Sequence, residues 1–265
     1  MPRTWIPRTS LLPCLILACA SCAPTPDRHI LPTADPVVEP HAQEDAPADT
    51  TAAREIIDRN NTLRHENGLR PVVVDQSLQR AALDFAAFMA SSGRYGHEAD
   101  GGNPAARANR HGYDHCILAE NIAYLFSAKG LGTEAVVETA FQGWCDSPGH
   151  RKNMLDPDVT QTGVAVARNR RGDAVYAVQL FGRPRSERRR FQVRNGSDTT
   201  IHYRLGAERY PLGPGVTRTH HVCRSEPLSL TEQGHQSDVA LTPGDGDRLA
   251  IFRLASGSIQ LKTER

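Results

Sequence analysis

Ser147-Pro148-Gly149-His150-Arg151-Lys152-Asn153-Met154-Leu155 is the stretch of this chain best equipped for chemistry. Serine followed by proline reads as an N-cap and a first helical position. The hydroxyl oxygen can accept from an orphan amide, and proline has no N–H to leave unpaired. Gly149 lets another backbone or a ligand come close. His150 then falls in the first helical turn, where the helix dipole opposes a positive imidazolium. A neutral imidazole at that place can bind a metal or accept a proton.

Elements able to hold that turn lie on both sides of it. Ile56, Ile57, Asn60 and Leu63 make a partly apolar helical face ended by Gly68, and Val72-Val73-Val74 reads as a short buried run. Asp75 caps a helix in which Leu78, Ala81, Ala82, Phe85 and Met89 recur at three- and four-residue spacing, with alanines small enough for close packing on a sheet. Gly93, Gly96, Gly101 and Gly102 bracket a loop that carries His97, and residues 104–111 form a short helix stopped by Gly112. Thr133 caps a further helix that buries Val136, Val137, Ala140, Phe141 and Trp144. Residues 162–167 and 174–181 pair as strands around Arg170-Arg171-Gly172-Asp173. Helices interspersed with a few short strands fit a three-layer α/β/α sandwich.

Residues 146–155, with Ala119-Glu120-Asn121-Ile122 upstream and Gln179-Leu180-Phe181-Gly182 downstream, resemble the CAP superfamily of secreted cysteine-rich and pathogenesis-related proteins. The resemblance spans roughly residues 54–183 and implies the same α/β/α fold. It implies a cleft lined by two histidines and two glutamates, matched here by His97 after Tyr95-Gly96, by Glu120 and by His150. The second glutamate is expected three residues past Trp144, where this chain has Ser147. That departure puts catalytic use of a second carboxylate in doubt. Two imidazoles with an orienting carboxylate would suit Zn²⁺ through His97 and His150. The same residues can instead form a purely structural hydrogen-bonded network. Arg107 also sits where the family has arginine, with a surface or inter-helix ion pair as its expected role. The resemblance implies a binding module for a lipid, glycan or protein ligand; the alternative is a metal-assisted, peptidase-like hydrolase using His97, Glu120 and His150. If Glu120 and His150 share the cleft, Cys116 and Cys145 should lie near each other, so a Cys116–Cys145 disulfide is expected, against two separately buried thiols. Cys223 is expected to be a buried small hydrophobe.

The compartment is indicated by the first 22 residues. Arg3 and Arg8 precede a short apolar run from Leu11 to Ala20, too short to span a bilayer and suited to a cleaved export signal. Ala20-Ser21-Cys22 resembles a lipobox with Cys22 as the lipidated residue and Cys19 as the alternative. The expectation is an extracytoplasmic protein, lipid-anchored to an envelope membrane or else secreted or periplasmic. Residues 23–51 follow as a proline-rich, acidic, disordered tether. Lys+Arg total 31 against Asp+Glu 30, and the low aromatic content gives no stacking platform, so no nucleic-acid partner is expected.

The layered domain is expected over 52–186 and a small all-β module over 187–265. In the latter, Asn195-Gly196 reads as a hairpin turn and short strands recur to the C-terminus. Between the two, Arg183, Arg185, Arg188, Arg189 and Arg190 read as a solvated linker, and His220-His221 as a solvated strand end.

Overall fold

The structure, a computed structural model, describes residues 48–232 and 235–264. The export signal, the lipidation candidates Cys22 and Cys19, and the tether up to residue 47 lie outside the described residues. No described helix is long and apolar enough to cross a membrane.

Five helices and four strands make the layered part. They are α1 (Thr50–Glu66), β1 (Val73–Val74), α2 (Gln76–Ser92), α3 (Pro104–Arg110), β2 (His115–Phe126), α4 (Thr133–Asp146), α5 (Pro148–Met154), β3 (Gln161–Arg168) and β4 (Ala174–Pro184). The sheet order is β1-β3-β4-β2, with β1 parallel to β3 and the other pairs antiparallel. Strand alternation divides the core into two apolar layers. From β4, Val175, Ala177 and Phe181 join α1 and α4 on one face, while Tyr176, Val178 and Leu180 join α2 on the other. Only Val72 of the valine run is buried. Val73 and Val74 form the short outer strand and are exposed.

Two glycines are set by close approach. A Cβ on Gly163 would lie 2.3 Å from the Leu78 backbone, so α2 can rest on β3 only where no side chain intervenes. A Cβ on Gly182 would meet the Tyr113 hydroxyl at 2.4 Å, and that hydroxyl donates to Gln161 Oε1 (2.7 Å). Asp75 caps α2 as its sequence suggests, accepting from the amides of Ser77 and Leu78. Thr133 does not cap α4: Gly132 holds that position, and the Thr133 hydroxyl donates to Asp49 Oδ2 (2.8 Å).

The C-terminal part, after a single helical turn at Arg185–Glu187, is a β-sandwich. Strands β5 (Arg189–Asn195), β8 (Thr217–Val222), β11 (Arg248–Arg253) and β12 (Ile259–Glu264) form one sheet. Strands β6 (Ile201–Leu205), β7 (Glu208–Leu212), β9 (Leu228–Glu232) and β10 (His235–Leu241) form the other. Phe191, Val193, Tyr203, Leu230 and Ile251 are among the side chains packed between them. Asn195-Gly196 is not a hairpin, because β5 and β6 belong to different sheets. The buried Asn195 amide donates to the carbonyls of Thr199 and Leu212, turning the chain from one sheet to the other. His220 is buried rather than solvated; it hydrogen-bonds the Tyr203 hydroxyl at 2.6 Å and stacks on Phe191.

The layered part and the sandwich form one compact unit; of the arginine cluster Arg183 and Arg189 are held in the joint, while Arg185, Arg188 and Arg190 are exposed, as expected of a solvated linker. Arg183 is buried and donates to the carbonyls of Asp158 (2.6 Å) and Glu187 (2.9 Å). The Asp158 carboxylate accepts from Arg189 (2.8 Å) and from both the amide and hydroxyl of Ser225, while Arg224 pairs with Asp156 (2.7 Å). Burial by itself would raise the Asp158 carboxyl, but the Arg189 and Ser225 hydrogen bonds outweigh it and hold the group below its ordinary range. A folded pKa below the unfolded value of about 3.9 contributes fully above that value and is lost as pH falls through the folded pKa. Asp158→Asn should therefore destabilise the protein by about 1.5–3 kcal/mol at neutral pH, and by progressively less below about pH 4. The check is the gap between wild-type and variant urea midpoints across a pH series. A gap that does not narrow in acid would mean that the carboxylate charge does not hold the joint.

Candidate functional site

The expected site residues converge at the free edge of the first sheet, where β2 is the outer strand. Successive β2 residues point to opposite faces, which sends Glu120 toward α3 and the His97 loop and Asn121 toward α5. The Asn153 amide donates to Asn121 Oδ1 (2.9 Å) and to the Glu120 carbonyl (3.4 Å), and Asn121 donates to the His150 carbonyl (3.2 Å). These bonds fix α5 against β2. The Ile122 carbonyl accepts from Trp144 Nε1 (3.0 Å) and from the Tyr95 hydroxyl (3.3 Å). Side chains thus occupy acceptors that a bare edge strand would offer to another chain.

His97 Nδ1 lies 2.8 Å from Glu120 Oε1, with half of the His97 side chain exposed and Glu120 almost fully buried. Arg107 takes both oxygens of Glu120, at 3.0 and 2.7 Å. This arginine is 2 % exposed, so it is a buried ion-pair partner and not a surface one. It also donates to Asp100 (2.8 Å) and to the carbonyls of Gly102 and His97, and its guanidinium lies 3.5 Å from the Phe85 ring centroid. A carboxylate already accepting from a guanidinium can only accept from imidazole. Nδ1–H of His97 is therefore the donor, which fixes the ring against Glu120. Burial, with a smaller electrostatic contribution from nearby His97, holds His150 below its ordinary range, so it is neutral at pH 7. Ser147 stands at the N-cap of α5, its carbonyl accepting from the Arg151 amide, but its hydroxyl makes no capping bond. That hydroxyl remains available at the position where the resemblance expects a glutamate.

The donor set does not fit Zn²⁺. Two imidazoles approach each other, but both Glu120 oxygens are engaged, and among the described residues no three His, Cys, Asp or Glu side chains converge on a metal position.

Cys116 does not pair with Cys145. It is bonded to Cys223, just past β8, and Cys145 is a free, half-buried thiol that burial makes less acidic. The register explains the difference. Cys116 sits at an irregularity between His115 and Ile117, beside the start of the sandwich. The end of α4 is tied instead to Ile122, about 20 Å farther along β2 at about 3.3 Å per residue. The sharing of a cleft by Glu120 and His150 therefore did not imply proximity of the cysteines that precede them. The role of Arg107 as the partner of Glu120 was also missed. Its sequence signal is weak, a lone arginine following Asp100 by seven residues.

An α/β/α sandwich with a His/Glu cleft at its sheet edge is the architecture of a CAP-like domain. Residues 57–181 match the model of the CAP, or cysteine-rich secretory protein, family. The chain is 27 % identical over 140 residues to the uncharacterized protein YkwD of Bacillus subtilis, covering 52 % of this chain and 50 % of that one. It is 32 % identical over 120 residues to the uncharacterized membrane protein YlbC of the same organism, covering 45 % and 32 %. Among solved structures it is similar to an extracellular protein containing a SCP domain from Bacillus anthracis, with TM-score 0.41, 25 % identity and coverage of 50 % of this chain and 40 % of that one. This chain thus spans half or less of the length of these curated relatives.

Proposed function

We propose that this protein is an extracytoplasmic ligand-binding module, anchored through lipid on Cys22, whose cleft at His97, Glu120, Ser147 and His150 recognises a lipid, glycan or protein ligand. The observation that carries this reading is the capture of both Glu120 oxygens by Arg107. The hydrolytic alternative draws on a cleft carboxylate to activate water. Here the one cleft carboxylate is an orienting group, and Ser147 stands where a second is expected. The cleft offers hydrogen-bonding groups: the His97 and His150 imidazoles and the Ser147 hydroxyl. Such groups can fix a ligand's orientation. The export signal and the Cys116–Cys223 disulfide both fit an oxidising compartment outside the cytoplasm.

The test is binding of the purified protein to phosphatidylglycerol vesicles, to cell-wall polysaccharide and to a peptide library, with cleavage of the library followed in parallel. Saturable binding without cleavage is expected, weakened about tenfold or more (1.4 kcal/mol) by His97→Ala combined with His150→Ala. Peptide cleavage abolished by His150→Ala in a folded variant would replace this reading with hydrolysis. Mass spectrometry of the mature N-terminus tests the anchor, with a diacylated Cys22 as the expected species.

A further inference from the structure

Beyond the cleft, the sheet outruns the helix that covers it. α2 stops at Ser92, where Gly93 takes a left-handed turn, but β2 continues on the same face. Tyr124 and Phe126 therefore emerge past the helix end, 46 % and 61 % exposed. In register with Tyr124 on the neighbouring strand is Tyr176, their ring centroids 5.1 Å apart, and Tyr95 adds a third ring 5.9 Å from Tyr124. The Tyr95 hydroxyl bonds the Ile122 carbonyl, which holds its ring in place beside the cleft. At the other end of this row, Tyr176 lines a cavity of about 270 Å³ between the last turn of α2 and the β3–β4 turn. Arg170 and Arg171 stand on its wall, both exposed, and no acidic residue lines it. Arg171 has only a long contact to Asp173, at 3.6 Å.

We propose that Tyr95, Tyr124 and Phe126, with the Arg170–Arg171 cavity, form a track for a carboxylated polysaccharide. This deepens the reading of the protein as a ligand-binding module and rests on it. The electron-rich face of an aromatic ring attracts the polarised C–H groups on the flat side of a pyranose, as it attracts other partners of positive edge. Tyr95 and Tyr124, 5.9 Å apart, present such faces with Phe126 two residues further along the strand, while the buried Tyr176 supports Tyr124 from the neighbouring strand. An acyl chain would need an enclosed apolar channel, whereas this row is open and basic at one end. A stable protein partner would need about 800 Å² per side, far more than three partly exposed rings supply. The Arg170 and Arg171 guanidinium groups, with no acid lining the cavity, select a ligand carrying carboxylates.

Hexagalacturonate, soluble peptidoglycan fragments and neutral chitohexaose, each titrated calorimetrically into the full chain, test the proposal and separate the two sources of carboxylate. Binding of one or both acidic ligands is expected, weakened about tenfold or more by Tyr124→Ala combined with Phe126→Ala. Arg170→Ser combined with Arg171→Ser should weaken acidic binding and flatten its salt dependence. These side chains are exposed, and thermal melting checks that the variants fold. Chitohexaose bound as tightly as the acidic ligands would overturn the carboxylate assignment. Acidic binding indifferent to both aromatic substitutions would overturn the track. So would the absence of any glycan binding in a protein that still captures a vesicle or peptide ligand through His97 and His150, an outcome that leaves the binding-module reading standing.

Discussion

Replacing Cys116 and Cys223 together by alanine is expected to lower the unfolding free energy by about 4–5 kcal/mol. The bond joins residues 107 positions apart, and loop-closure entropy for a loop of about 100 residues is about 4.7 kcal/mol at 25 °C. The loss should appear as a fall of roughly 10–20 °C in Tm, taking about 2–4 °C per kcal/mol for a chain of this size. Its location matters as much as its size. The bond fastens the start of β2, and hence the strand carrying Glu120, to the segment after β8. What remains at the joint is ionic, chiefly Asp158 with Arg189 and Ser225 and Asp156 with Arg224. The sandwich should then unfold ahead of the layered part, in a separate transition that moves to lower temperature in acid as Asp158 is protonated. Cys145→Ala is the control. Its thiol is unpaired, so its loss should cost no more than a buried methyl-sized group does. If Cys145→Ala produced the large drop and the Cys223 substitution did not, the bond assigned here would be the wrong one.

The disulfide also marks where sequence reasoning stops. The 3.6-residue spacing of Leu78, Ala81, Ala82, Phe85 and Met89 identifies α2 and Asp75 marks its start, because a helix is specified by neighbours along the chain. The β3–β4 hairpin is equally local, its turn residues lying between two strands that pair with each other. Cysteine pairing is not local. It depends on where a segment a hundred residues away docks, and nothing near Cys116 encodes that. Asn195-Gly196 fails for a related reason, since turn chemistry is the same whether the next strand joins its own sheet or the opposite one. In the cleft, motif resemblance located His97, Glu120 and His150 but not what holds them. The burial of Arg107 is decided by Phe85 on α2 and Glu120 on β2, which close around it only in three dimensions.

Arg107→Met is expected to cost about 3–5 kcal/mol, the penalty of leaving a buried carboxylate without its partner. Methionine keeps much of the packing on Phe85, so the measured loss reports charge and hydrogen bonding more than volume. Glu120 would keep the His97 imidazole as donor but lose its guanidinium, and the carbonyls of Gly102 and His97 would lose the Arg107 donor, while Asp100 would keep Arg110 and the Gly102 amide. The companion variant, Arg107→Met with Glu120→Gln, removes both charges and should recover about 2 kcal/mol or more of that loss, because a buried pair replaced by neutral groups is far less costly than half a pair. Urea unfolding of the two single variants and the double variant closes the cycle and yields the coupling directly. The same numbers bear on function. A strong coupling means that Glu120 is an anion committed to arginine, able to orient His97 but not to take a proton from water. A loss below about 1 kcal/mol, the range of solvent-exposed pairs, would mean instead that Glu120 is solvated and free, and the cleft would regain the general base that hydrolysis requires.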